Sequence, residues 1–324
     1  MHIPDGFLSV RVAAGYGVLA LVGVGLACYR VRAARERASS ALLGVSAAFI
    51  FAAQMVSFPV AAGTSGHLVG GALAAALLGL PSAVVVMSSV LFVQCFVFGD
   101  GGLWSLGANV FNMALVGSLV GFCCYRLLCG AKPSPTRRVA ALAFASWCAT
   151  VVAAASCAGQ LALSDTARLS VVLPAMLGVH ALIGIGEAVI TAIVLAAVLR
   201  FRPELLEMPG NASVSRQRAR SIVGYGLGLS IAIAAVLAPI ACDAPDGLSS
   251  VAQRLGFQDA ERVGLVAAPL AEYSVPGLAA GVLATVLAGS AGALFLFGLC
   301  WLLALGLVPR ASATSSEQVA APSP

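Results

Sequence analysis

The stretch from Gly63 to Leu80, GTSGHLVGGALAAALLGL, decides how this chain is threaded. Its apolar part, residues 68–80, has 13 residues, too few for the roughly 20 that cross a bilayer as a helix. It lies between a polar loop and Pro81, and reads as a short or partly re-entrant helix that crosses inside a bundle of neighbours. Eight longer apolar runs surround it, near residues 11–29, 40–62, 82–98, 103–127, 139–161, 171–199, 221–240 and 276–307. With the short run the count is nine. Hydrophobic residues make up 60% of the chain and charged residues 10%, against about 45–50% and about 25% in soluble domains. The fold class is therefore an all-α integral membrane protein of about nine transmembrane helices.

Positive charge tests the threading, because Lys and Arg near helix ends stay cytoplasmic. With the N-terminus outside, the inner segments hold Arg30, Arg32, Arg35 and Arg37, then Arg126, Lys132, Arg137 and Arg138. Further along they hold Arg200, Arg202, Arg216, Arg218 and Arg220, and finally Arg310, which makes 14 of the 18 basic residues. Removing the short run would invert every later loop and destroy the pattern. The expected placement is multi-pass, N-terminus outside and C-terminus cytoplasmic. The basic loops report topology and require no nucleic acid. The nine cysteines show no CxxC spacing and read as apolar packing residues. No GxxxxGK[ST] phosphate loop occurs, so ATP hydrolysis by that route is not expected of this chain and no enzyme activity is assigned.

The chain opens MHIPDGFLS, with no signal pattern before it, and Met1 is expected to be the mature terminus. The amine of Met1, the backbone nitrogen of His2 and its Nδ1 can close two fused chelate rings on one metal ion. Three nitrogens in a plane suit Ni(II), Cu(II) or, less strongly, Co(II). His67 falls on the same side as the N-terminus and can supply a fourth nitrogen. Gly63, Gly66, Gly70 and Gly71 allow close approach there. The alternative for His67 is a loop histidine bonded to backbone.

Polar groups within a bilayer are expensive and therefore functional candidates. His180 and Glu187 stack on one face two turns apart; a supporting or packing role fits them better than ligation. Asn109 and Asn112, below a loop bearing Asp100, share a helical face. They are expected to bond the loop of His2, or else to form interhelical amide contacts. Gly44, Ala48 and Ala52 form a small-residue stripe that admits a close helix neighbour. The sequence leaves open whether that neighbour is internal; the expectation adopted is an interface with a partner subunit.

With MHIPDGFLS, GTSGHLVGG, FGDGGLWSLGANVFNMA and HALIGIGEA in one order, residues 1–205 resemble the CbiM/NikM family, the substrate-binding membrane component of energy-coupling factor transporters for cobalt and nickel. The resemblance implies seven helices in this part, a metal site at Met1, His2 and His67, and no bound cofactor beyond the transported Ni(II) or Co(II). It also implies a transmembrane coupling subunit and two ATPase subunits as partners in a prokaryotic cell membrane. The nitrogen set and the PDG form after MHI lean toward nickel. Residues 221–308, two helices with an outer loop 241–275, resemble the PDGLE-type companion module, with Ser249 in place of the motif's Glu. The segment 206–220 reads as a cytoplasmic basic linker and 309–324 as a disordered tail. Two rivals differ in class. GTSG is similar to the GxSG of rhomboid-like serine proteases, with Ser65 as nucleophile and His180 as base, although Ser65 falls in an outer loop. A proton-coupled secondary transporter would use Glu187 as its carrier.

Overall fold

The computed structural model describes residues 1–33, 40–206, 216–262, 264, 267–278 and 281–307. The tail 309–324, linker residues 207–215, and Arg35, Arg37 and Arg310 lie outside the described residues. The N-terminal segment leads into α1 (Val10–Ala33) and α2 (Ser40–Gln54). A small hairpin follows, β1 (Phe58–Val60) against β2 (Thr64–Gly66), antiparallel with Phe58 opposite Gly66 and Val60 opposite Thr64. Then come α3 (Gly71–Leu78), α4 (Leu80–Val93), α5 (Leu106–Asn109), α6 (Gly117–Cys129), α7 (Pro135–Leu163) and α8 (Leu169–Phe201). The C-terminal part consists of α9 (Arg216–Ala232), α10 (Gly247–Leu255) and α11 (Val282–Leu307).

The expected count of nine resolves, among the described residues, into seven helices long and apolar enough to cross a membrane and two shorter ones, α2 and α3. The run 40–62 is helical only to Gln54. Pro59 lacks an N–H and forces Phe58 into extended backbone, so apolar sequence continues there as strand rather than helix. The run 68–80 is helical only from Gly71. At 1.5 Å per residue, its eight-residue helix is about 12 Å long. Leu80 packs with Ala27 and Val31 at the far end of α1, whereas His67 lies beside Met1. Residues 67–78 therefore carry the chain from one end of the bundle to the other, a third as irregular backbone and two thirds as helix. Such backbone persists only when buried in protein, and Leu68, Val69 and Gly70 are all buried.

Two π-turns interrupt the long helices, Gln94–Phe98 after α4 and Val110–Val116 between α5 and α6. Extra residues of this kind re-aim side chains and recur at functional sites. Ser134 caps α7 by accepting from the Arg137 N–H, with Pro135 in the first turn. Asp246 caps α10 the same way by accepting from Ser249, and Gly256 ends that helix at φ 76°.

The C-terminal helices lie against α2. Gly44 abuts α11, where a Cβ would stand 2.8 Å from the Phe297 ring, and Ala48 and Ala52 are 0% exposed. This corrects the assignment of Gly44, Ala48 and Ala52 to a partner subunit: the close neighbour that small residues admit is α11 of the same chain. Filling this seam should destabilise the fold. Ala48→Leu is expected to cost about 1–3 kcal/mol through overpacking and to lower the melting temperature of the purified protein; an unchanged melt would place the stripe on a free surface.

Candidate metal centre

The first nine residues are folded into one end of the bundle, with Met1, Ile3 and Phe7 all buried. Asn109 holds Ile3 from both sides, accepting its N–H at 2.8 Å and donating to its carbonyl at 3.1 Å. The Asp5 carboxylate receives the N–H groups of Leu103, Trp104 and Ser105 at 2.9–3.3 Å. Gly102 donates to the Ile3 carbonyl, and Arg262 donates its N–H to that of Asp5. These bonds leave the two residues before Ile3 little freedom.

They deliver the terminal nitrogen of Met1 to 2.9 Å from His67 Nε2. The rings of His2 and His67 are stacked, 5.4 Å between centroids and 20° apart in plane. His67 Nδ1 lies 3.0 Å from the Leu68 carbonyl. A carbonyl only accepts, so Nδ1 carries the proton and the Nε2 lone pair faces the amine. Met1, His2 and His67 thus converge as the sequence suggests a nitrogen site would. Among the described residues no three His, Cys, Asp or Glu side chains cluster at metal-binding spacing. The two imidazoles here are joined by the Met1 nitrogen rather than by a third side chain of those types.

Two carboxylates complete the constellation. Asp246, from the C-terminal part, lies 2.7 Å from the Met1 nitrogen, and Asp100 lies 3.1 Å from His2 Nδ1. The Tyr273 hydroxyl donates to Asp100 at 2.8 Å. Burial pushes the Asp246 carboxyl up, but the charge and hydrogen bond of the adjoining ammonium outweigh it and hold it well below the ordinary range. Burial, then the positive amine, bring His67 down to about 3. Burial also lowers His2, partly offset by the Asp100 charge. A cavity of about 530 Å³ opens above the site, lined by His2, His67, Asp100, Asp243, Asp246 and Glu272 among others. Its carboxylates, with Arg262 as the one Lys or Arg among the described lining residues, favour cations.

Glu187 reaches the site through backbone. Its two oxygens accept the N–H groups of Val69 and Gly70 at 2.9 and 3.0 Å, and Thr150 donates to it as well. It therefore anchors the segment that carries His67. Asn112, by contrast, does not touch the His2 loop; it pairs with Gln160 and Ser156 of α7. Asn109 thus takes the first of the two partners the sequence offers the pair, the His2 loop, and Asn112 takes the second, an interhelical amide contact. His180 bonds the Met176 carbonyl through Nδ1 and packs against Gly247, and its Nε2 has no partner among the described residues. The Ser65 hydroxyl donates to the Ala244 carbonyl at 2.7 Å, not to a histidine, so the protease arrangement is not assembled. Gln54, Gln94 and Tyr273 are assigned no role by the sequence alone, and Asp246 reads there, with Asp243, only as part of an acidic outer loop. Glutamines inside apolar helices are a readable signal, whereas the approach of Asp246 and Tyr273 is purely tertiary.

Residues 2–205 match the family described as the cobalt uptake substrate-specific transmembrane region, CbiM, and residues 220–308 match the PDGLE domain. The chain belongs to the CbiM family, with a PDGLE domain at its C-terminal end. A protein of Archaeoglobus fulgidus described as a putative fused nickel transport protein NikMN is 34% identical over 89% of this chain and 95% of its own length. The probable fused nickel transport protein LarMN of Lactiplantibacillus plantarum is 32% identical, covering 71% of this chain and 73% of its own. A crystal structure titled as a truncated transition metal transporter superposes with TM-score 0.56 at 32% identity, covering 62% of this chain and 99% of that one.

The depressed His67 implies a definite pH response. Its folded-state value of about 3 lies below the ordinary 6.5, so the unfolded chain binds more protons between those limits and stability falls as pH falls through that window. Ring NMR signals of His67 in the metal-free protein should stay those of neutral imidazole from pH 8 to pH 5; a titration midpoint near the ordinary value would contradict the geometry.

Proposed function

We propose that this chain is the substrate-capture component of an ATP-driven uptake transporter for Ni(II) or Co(II), with the cation held by nitrogens at the N-terminus. The observation that carries this reading is the Met1 nitrogen 2.9 Å from the bare face of His67 Nε2, beneath the His2 ring. With Met1 as the terminal residue, its amine, the deprotonated amide of His2, His2 Nδ1 and His67 Nε2 make a four-nitrogen set. That set suits a square plane and favours nickel over cobalt.

Ligation requires bare nitrogens, so the cation competes with protons. The nitrogens in question face the carboxylates of Asp246 and Asp100, on the side open to the acidic cavity. Capture takes place outside the cell, from the acidic cavity, with the N-terminus outside and the C-terminus cytoplasmic. A transmembrane coupling subunit and two ATPase subunits drive inward release. Their contact surface is not the α2 seam, which α11 covers. Domain 1–205 supplies the nitrogens, and the module 221–308 contributes Asp246 and Tyr273 from its outer loop. Membership in the CbiM family and the fused nickel transport relatives support the reading. Proton carriage by Glu187 is poorly supported, because both its oxygens already accept backbone N–H groups.

One added residue before Met1 moves the amine and should abolish tight Ni(II) and Co(II) binding in calorimetry while the melt is retained. His67→Ala should weaken binding by more than the about 10–100-fold typical of a lost supporting contact. Undiminished affinity in the extended protein would overturn the chelate.

A further inference from the structure

Two glutamines that no ligand role explains, Gln54 on α2 and Gln94 in the π-turn after α4, are 5% and 0% exposed. They join the His2 ring to a backbone carbonyl. Gln54 Nε2 donates to the Val69 carbonyl at 2.8 Å. Because a carbonyl can only accept, the amide of Gln54 has one permitted orientation, with Oε1 toward Gln94. Gln94 Nε2 donates to that oxygen at 2.8 Å. Its own Oε1 is thereby turned to His2 Nε2, 3.2 Å away. An amide oxygen accepts and never donates, so this contact is a hydrogen bond only in the tautomer with the proton on His2 Nε2.

We propose that Gln54 and Gln94 form a positioning relay that keeps the proton on His2 Nε2 and so reserves Nδ1 for the cation. This rests on the metal reading above. The chelate with the His2 amide closes only through Nδ1, since Nε2 is remote from its own backbone. The other ring nitrogen faces the Asp100 carboxylate on the cavity side, 30% exposed, an acceptor that draws the single proton of the neutral ring toward Nδ1; the relay is what opposes it from the buried side. Consecutive carbonyls set the two rings: Leu68 fixes His67 through Nδ1, and Val69 fixes His2 through the glutamines. Glu187 holds the Val69 and Gly70 N–H groups, which steadies the origin of both. Hydrogen bonds to the far nitrogen commonly choose which imidazole nitrogen binds metal.

The test uses the full chain in detergent, labelled with ¹⁵N in its histidine rings, the signals assigned by replacing His180 and His67 in turn. In the metal-free wild type His2 should show a protonated, slowly exchanging Nε2. Gln94→Met and Gln54→Met should lose that signature and weaken Ni(II) binding about 10–100-fold. Gln94→Glu keeps an oxygen facing the ring and should restore the Nε2–H signal, which separates loss of the acceptor from loss of folding. A bare Nε2 in the wild type, or Gln94→Met with unchanged ring signals and affinity, overturns the relay. A wild type that binds neither Ni(II) nor Co(II) overturns the metal reading instead, and its ring signals still decide the relay.

Discussion

The placement of the Met1 nitrogen between His67 Nε2 and Asp246 is the contact on which the rest of this molecule depends. A buried positive terminus is costly unless it is paired and hydrogen-bonded. Here the counter-charge comes from about 245 residues away, in the C-terminal part. The first nine residues are then tied down by Asn109, by the backbone after Gly102, and by Arg262. Amine, imidazoles and carboxylates form one unit that neither the family domain nor the C-terminal domain contains alone.

The second constraint is the passage of irregular backbone through the bundle. Residues 67–70 have no helix to satisfy their N–H groups, and in a bilayer such groups cannot turn to lipid. Glu187 satisfies two of them, while the carbonyls of Leu68 and Val69 accept from His67 and Gln54. The same four residues that are hardest to bury thus orient the histidines. Thread and site are one problem with one solution.

Much of this was legible in the sequence. Apolar runs separate the long helices, and the short run before Pro81 betrays a passage that is not an ordinary span. His2 and His67 stand out because only three histidines occur. What was missed has physical causes. Beyond Gln54, Val56, Phe58 and Val60 remain apolar, so composition continues where Pro59 ends the helical option. The stripe at Gly44, Ala48 and Ala52 announces a close helix but not whose helix. Asn109 and Asn112 divide between the two partners the sequence allowed, Ile3 for the first and α7 for the second, and residue type alone does not say which takes which. Gln54 and Gln94 carry no charge and attract less notice than Glu187, although a buried amide demands partners as strictly. Asp246 and Asp100 are loop carboxylates whose role exists only once the two ends of the chain meet.

The most direct test of the account is the first coordination shell of nickel bound to the full chain, measured by X-ray absorption at the metal edge. The account predicts four nitrogen neighbours in one plane, with an imidazole signature from two rings and no sulfur. An octahedral shell dominated by oxygen, as carboxylates and water would give, would contradict it and move the cation to the acidic cavity.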